Sequence, residues 1–191
     1  MRVNIQDIRD NWKNINSKAI QDAIIVERHS YNSIQYRLPD NELQESINHI
    51  QNFCNGDLYE TLFTEYYGNI FEPIGEKGVW TDEFRPTRGE PDLIHKESQL
   101  KVEFKCYNMS VESFVEEGVK EHWWDLNSSK FHNARHILYC SRPEGYKLYH
   151  FYYDDVDHKW YYELSKLSTD NFMSYMNNEV FKRKLGYWCV Q

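Results

Sequence analysis

The chain has 191 residues, 40% of them hydrophobic, and its 22 basic against 30 acidic side chains give a formal net charge of −8. That length sets a prior of roughly one domain, large enough to bury a core without disulfide or metal staples. Glycine (8) and proline (5) are too sparse for a collagen-like, linker-rich or disordered chain, and no apolar run approaches the ~20 residues of a membrane span. The acid excess disfavours indiscriminate attraction of nucleic acid over the whole surface but leaves room for a local basic groove.

In chain order, Ile8, Trp12, Ile15, Ile20, Ala23 and Ile24 fall on one helical face, which predicts a helix over 5–27. Residues 28–40 read as a loop or short strand closed by Pro39-Asp40. Leu43, Ile47, Ile50 and Cys54 recur at helical spacing and predict a helix over 41–54. Asn55-Gly56 breaks it, and Asp57 is placed to cap a third helix from Leu58 to about Tyr67, ending at Gly68. The character then changes to strands. Asp92-Leu93-Ile94 is short, and Leu100 to Cys106 alternates cleanly, with Leu100, Val102, Phe104 and Cys106 on one face. Ser110 is placed to cap a helix to about Trp124, with Val111, Val115, Gly118, Val119 and His122 inward. Strands follow over His136–Cys140, Tyr146–Tyr153 and Trp160–Leu164, joined by the turn sequences Arg142-Pro143-Glu144-Gly145 and Asp154-Asp155-Val156-Asp157. Ser168 caps a last helix ending near Leu185, with Gly186 as its stop.

This order predicts an α/β fold with a central mixed β-sheet flanked by α-helices. A single domain over 1–191 is expected, with a helical N-terminal part (1–55), a core (56–164) and a C-terminal helix (165–191). The cysteines, Cys54, Cys106, Cys140 and Cys189, lie far apart without C-x-x-C spacing, and the N-terminus lacks a signal-peptide apolar core. Reduced thiols in a cytoplasmic protein are expected.

The chemistry concentrates in Arg88-Gly89-Glu90-Pro91-Asp92-Leu93-Ile94 and Lys101-Val102-Glu103-Phe104-Lys105. Glu103 and Lys105 are two apart on a strand, so both side chains leave by one face while Val102 and Phe104 take the other. A hairpin turn centred between Glu97 and Ser98 would set Asp92 directly opposite Glu103, Cβ atoms ~5 Å apart. Two carboxylates so placed repel unless a cation lies between them, and oxygen-only ligation completed by water and phosphate suits Mg²⁺, with Mn²⁺ able to substitute. A lysine one pleat further along can orient or deprotonate a water, or neutralise charge on a phosphorane-like transition state. Metal, lysine and positioned water together amount to phosphodiester hydrolysis.

Pro91-Asp92 followed by Glu103-Phe104-Lys105 resembles the PD-(D/E)xK nuclease superfamily, to which many type II restriction endonucleases belong. The resemblance implies a restriction-endonuclease-like core, with Asp92 and Glu103 as metal ligands, the Phe104 carbonyl as a third, and Lys105 as the water-activating residue. It also implies a supporting glutamate on the preceding helix, for which Glu60 is the first choice and Glu65 the second. The implied activity is a Mg²⁺-dependent endonuclease on double-stranded DNA, as part of restriction–modification, alongside a separately acting DNA methyltransferase. Cutting both strands of a palindrome would make it a two-fold homodimer. A junction-resolvase-like repair nuclease and a non-catalytic nucleic-acid-binding module on the same fold are the alternatives.

Each residue also has a plainer reading. Glu60 lies three residues after Asp57, as in a capping box. Glu90 reads as a loop carboxylate. Arg85, Arg88, Lys130 and Arg135 could reach phosphate or be solvated surface charges, as could Arg142 and Lys147. Lys182-Arg183-Lys184 suits a helix C-terminus. His132 and His136 have zinc spacing on a helix, but His136 falls on a strand and no third ligand is evident. Trp123-Trp124 reads as core packing ahead of base stacking.

Overall fold

The computed structural model describes residues 2–4, 37–39, 56, 58–74, 90–126 and 129–188, of which 2–4, 37–39, 129 and 183–188 are described as backbone. The expected helices over 5–27 and 41–54, the cap Asp57, and Arg85 and Arg88 lie outside these residues. The chain divides into two compact units. In one (Met1–Tyr59, Gly78–Arg85, Val180–Gln191), strands β1 (Arg2–Asn4) and β2 (Arg37–Pro39) pair antiparallel, Val3 opposite Leu38.

The other unit (Glu60–Lys77, Pro86–Glu179) is built on a six-stranded mixed sheet. Its strands are β3 (Phe71–Pro73), β4 (Leu93–His95), β5 (Lys101–Tyr107), β6 (His136–Ser141), β7 (Lys147–Asp154) and β8 (Lys159–Leu164), neighbours in that order. Only β5 and β6 run parallel. A parallel pair needs a crossover, and α2 (Val111–Lys120) lies within it. β3 was not expected: three residues are too few for alternation to show.

The period-two pattern sorts the sheet's faces. Leu93, Val102, Phe104, Cys106, Leu138, Cys140 and Leu148 share one buried face. Helix α1, over 58–66, covers it with Phe63, which stacks on Phe104 at 4.5 Å. The first half of α3 (Asp170–Trp188) adds Phe172, 5.1 Å from the Tyr67 ring. Gly68 ends this corner because a Cβ there would lie 2.9 Å from the Thr64 carbonyl oxygen.

The opposite face carries Tyr107, Ile137, Tyr139 and Phe151 beneath Val111 and Phe114 of α2 and Phe131. Phe114 stacks on Tyr139 at 3.8 Å with 7° between planes. Phe114, absent from the expected inward set, is fully buried, whereas Val119 is 65% exposed. Phe114 is buried by its stacking on Tyr139, while Val119 lies in the last turn before the helix stops. Ser110 caps it as expected, accepting from Ser113 N at 3.2 Å. It closes at Lys120, four residues early, because His122 adopts φ 56° and Trp123 N reaches back to the Gly118 carbonyl at 2.8 Å. This is a Schellman-type stop made without the usual glycine. Gly118 serves packing instead: a Cβ there would lie 2.4 Å from Trp124 Nε1.

Helix α3 likewise begins after its expected cap. Thr169 Oγ1 accepts from Phe172 N at 3.0 Å, while Ser168 Oγ accepts from Leu148 N at 2.6 Å and ties the segment to β7. The helix continues through Gly186 to Trp188.

Candidate metal centre

Strand pairing places the acid pair. Leu93 stands opposite Val102 and Ile94 opposite Lys101, the expected hairpin register. Asp92 immediately precedes β4, and its Oδ2 accepts from Phe104 N at 3.0 Å, which fixes the carboxylate beside β5. Phe104 therefore meets the site through its N–H. Pro91, with no N–H to satisfy, is buried just before it.

Glu103 is fully buried, on the face of the sheet opposite Phe104. Its Oε1 accepts from the Lys105 ammonium. Its Oε2 is buried with no hydrogen-bond partner. The Lys105 Nζ also lies 3.9 Å from Asp92 Oδ2, so one ammonium serves two carboxylates. Burial pushes the Glu103 carboxyl up to about 7, helped by Asp92 and to a smaller extent Glu60, and Lys105 only partly offsets this. Burial by itself would lower the Lys105 pKa, but the Asp92 and Glu103 charges outweigh it and hold the ammonium protonated.

A buried carboxylate oxygen without a donor is costly to leave unmet, and it offers a lone pair to a hard cation. Among the described residues no three His, Cys, Asp or Glu side chains close around a common point as a preformed cage. The fit is to an oxygen pair with open positions, the arrangement that Mg²⁺ takes with water and phosphate oxygens.

The expected residues separate clearly. Asp92, Glu103 and Lys105 come together, and Glu60, on α1, is close enough to raise the Glu103 pKa. Glu65 is exposed and accepts from Tyr175 Oη at 3.0 Å. Glu90 is an exposed loop carboxylate, 3.1 Å from Lys101 Nζ. Lys130 Nζ sits over the Trp123 ring, 4.4 Å from its centroid, and Arg135 pairs with Asp155. His132 joins the site without having been expected there: its Nε2 is 3.9 Å from Glu103 Oε1. Parallel pairing of β5 and β6 brings the loop before β6 to the end of the sheet where β5 begins, and no local motif in the sequence marks that. His136 lies on the other face, its Nδ1 3.1 Å from His150 Nε2, so the two histidines of zinc spacing are apart.

A pH dependence follows. A carboxylate whose folded pKa lies above its unfolded value stabilises the fold fully only below the unfolded value, and that contribution is lost as pH rises through about 7. Above pH 7 the protein therefore carries an ionised, buried Glu103, which a bound cation would relieve. At pH 6 a proton would compete with a cation held by Glu103, so Mg²⁺ held there would bind about tenfold more weakly than at pH 8. Thermal unfolding with and without Mg²⁺ should show a larger upward shift at pH 8 than at pH 6; equal shifts would remove Glu103 from the cation site.

No protein-family model matches the chain, and no curated protein sequence matches it.

Proposed function

We propose that this protein is a Mg²⁺-dependent endonuclease of the PD-(D/E)xK kind, acting on double-stranded DNA, with a type II restriction activity as its specific form. The observation that carries the proposal is the buried Glu103 carboxylate, set beside Asp92 across a hairpin with the Lys105 ammonium touching it. A surface ion pair does not require zero exposure, and a plain core does not require two acids and a lysine.

In this reading Asp92 and Glu103 hold the cation, with Glu60 supporting it from α1. The cation would supply charge neutralisation and polarise a phosphoryl oxygen. The Asp92 carboxylate is oriented by the Phe104 N–H, so its geometry is fixed before substrate arrives. Lys105, protonated in the metal-free protein, acts as a donor: it orients the attacking water and stabilises negative charge growing on the phosphoryl oxygens. Water forms the new P–O bond and releases its proton to solvent, the P–O bond to the leaving sugar oxygen breaks, and that oxygen takes up a proton from solvent. His132, beside Glu103, faces the same reaction space.

Incubation of plasmid and long linear duplex DNA with the protein and Mg²⁺ tests this. Discrete fragments are expected from the specific form. Cutting confined to branched substrates would move the target to junctions and keep the chemistry. Absence of cleavage of duplex, branched or single-stranded DNA or RNA, with either Mg²⁺ or Mn²⁺, would overturn the proposal.

A further inference from the structure

Among the described residues β3 and β8 form the two edges of the six-stranded sheet, and they differ. Strand β3 is three residues long and ends in Pro73, which has no N–H to offer a neighbour. Strand β8 runs six residues, Lys159–Leu164, with neither proline nor glycine. Its side chains remain open on both faces: Tyr161 is 38% exposed, Tyr162 45% and Leu164 55%. A long edge with exposed apolar side chains is a template for another strand.

The ladder to β7 tells which backbone groups are available. Ser165 N donates to the Leu148 carbonyl at 2.8 Å, the next rung after Tyr149 opposite Leu164. Alternation then turns the N–H and C=O groups of Lys159, Tyr161 and Glu163 toward β7 and those of Trp160, Tyr162 and Leu164 outward.

We propose that β8 pairs antiparallel with β8 of a second copy of this chain, joining two sheets about a two-fold axis at Tyr161. An axis normal to the sheet opposes residues of the same face. Of the registers this allows, the one centred on Tyr161 sets Lys159 opposite Glu163 of the second copy, and the reverse. The same register exchanges the outward backbone groups of Trp160 with those of Tyr162 of the second copy, and places these two rings together on one face. That face already carries Tyr162 stacked on Phe151 at 4.8 Å. Tyr161 meets its own copy on the other face, between the two ion pairs.

Glu163 stands opposite His150 on β7 and its charge acts on that ring, but the two form no ion pair. Neither Lys159 nor Glu163 has an ion-pair partner among the described residues. Asp154, opposite Lys159 in the same sheet, has its Oδ1 occupied by the N–H groups of Val156 and Asp157 at 2.7 and 3.0 Å. A strand that carries its own complement in reverse order specifies a copy of itself as occupant, and this stands independently of the nuclease reading.

Sedimentation equilibrium on the full chain, over a wide concentration range, tests it with charge variants. The wild type should dimerise. Lys159→Glu and Glu163→Lys should each raise the dimer dissociation constant about tenfold or more, since like charges then oppose. The double variant Lys159→Glu/Glu163→Lys should restore it. Tyr162→Pro, which removes an outward N–H that the β7 ladder does not use, should abolish dimerisation with circular dichroism unchanged. Amide exchange at Trp160 and Tyr162 should slow as the dimer forms. A wild type that stays monomeric throughout, or a dimer indifferent to the charge variants, would overturn the proposal; this holds whether or not Tyr162→Pro folds.

Discussion

Lys105→Ala is expected to lower Mg²⁺-dependent hydrolysis about 10²–10³-fold, the range for loss of one preorganised donor to developing charge. The ammonium touches Glu103 and lies 3.9 Å from Asp92, whereas the His132 ring lies 3.9 Å from Glu103. The variant should keep its fold, because β5 is held by its register with β4 and β6 and by Val102 and Phe104 on the far face. Its stability should nonetheless become more dependent on pH. Without the ammonium, the buried Glu103 loses the charge that pairs with it, a deletion worth on the order of 3 kcal/mol when the carboxylate must stay ionised. Loss of the ammonium pushes the Glu103 pKa further up, so at pH 6 the carboxyl escapes that cost by taking up a proton. Single-turnover cleavage and urea unfolding at pH 6 and pH 8 check both parts. Unchanged cleavage in a folded variant would take Lys105 out of the chemistry.

The largest expected effect on stability is at Phe114→Ala, about 3–5 kcal/mol. Phe114 is fully buried, stacks on Tyr139 at 3.8 Å and meets Phe151 at 5.4 Å and Trp124 at 5.7 Å. Rings on three sides leave little that can collapse into the space. The thermal midpoint should fall by roughly 10 °C, and the urea midpoint should fall with little change in slope. A loss below about 1 kcal/mol would mean the cluster of α2 against the sheet is looser than its geometry.

The site was legible because its determinants are local. Two strands and a short turn bring Asp92 to Glu103, and period-two alternation separates Glu103 and Lys105 from Val102 and Phe104; register and faces follow from the sequence by counting. The strands β6, β7 and β8 were legible for the same reason, their ends shifting by a residue. What was hidden depends on long-range packing or on unusual caps. Nothing near His122 announces a helix stop, since a left-handed histidine replaces the usual glycine. Phe114 is inward because of how α2 sits over Tyr139, 25 residues further along the chain. His132 reaches Glu103 only through the crossover between parallel strands. Glu60 and Glu65 lie on the same short helix, and sequence could only rank them; the contact of Glu65 with Tyr175 on α3 separates them.

The proposed function requires that Asp92 and Glu103 together bind a hard divalent cation. Mn²⁺ titration followed by electron paramagnetic resonance measures this directly, on the wild type, Asp92→Asn and Glu103→Gln, at pH 8. Saturable binding by the wild type that Mg²⁺ displaces is expected, with its loss or at least tenfold weakening in each variant and circular dichroism unchanged. Saturable binding of equal strength in all three proteins, or none in the wild type, would contradict it.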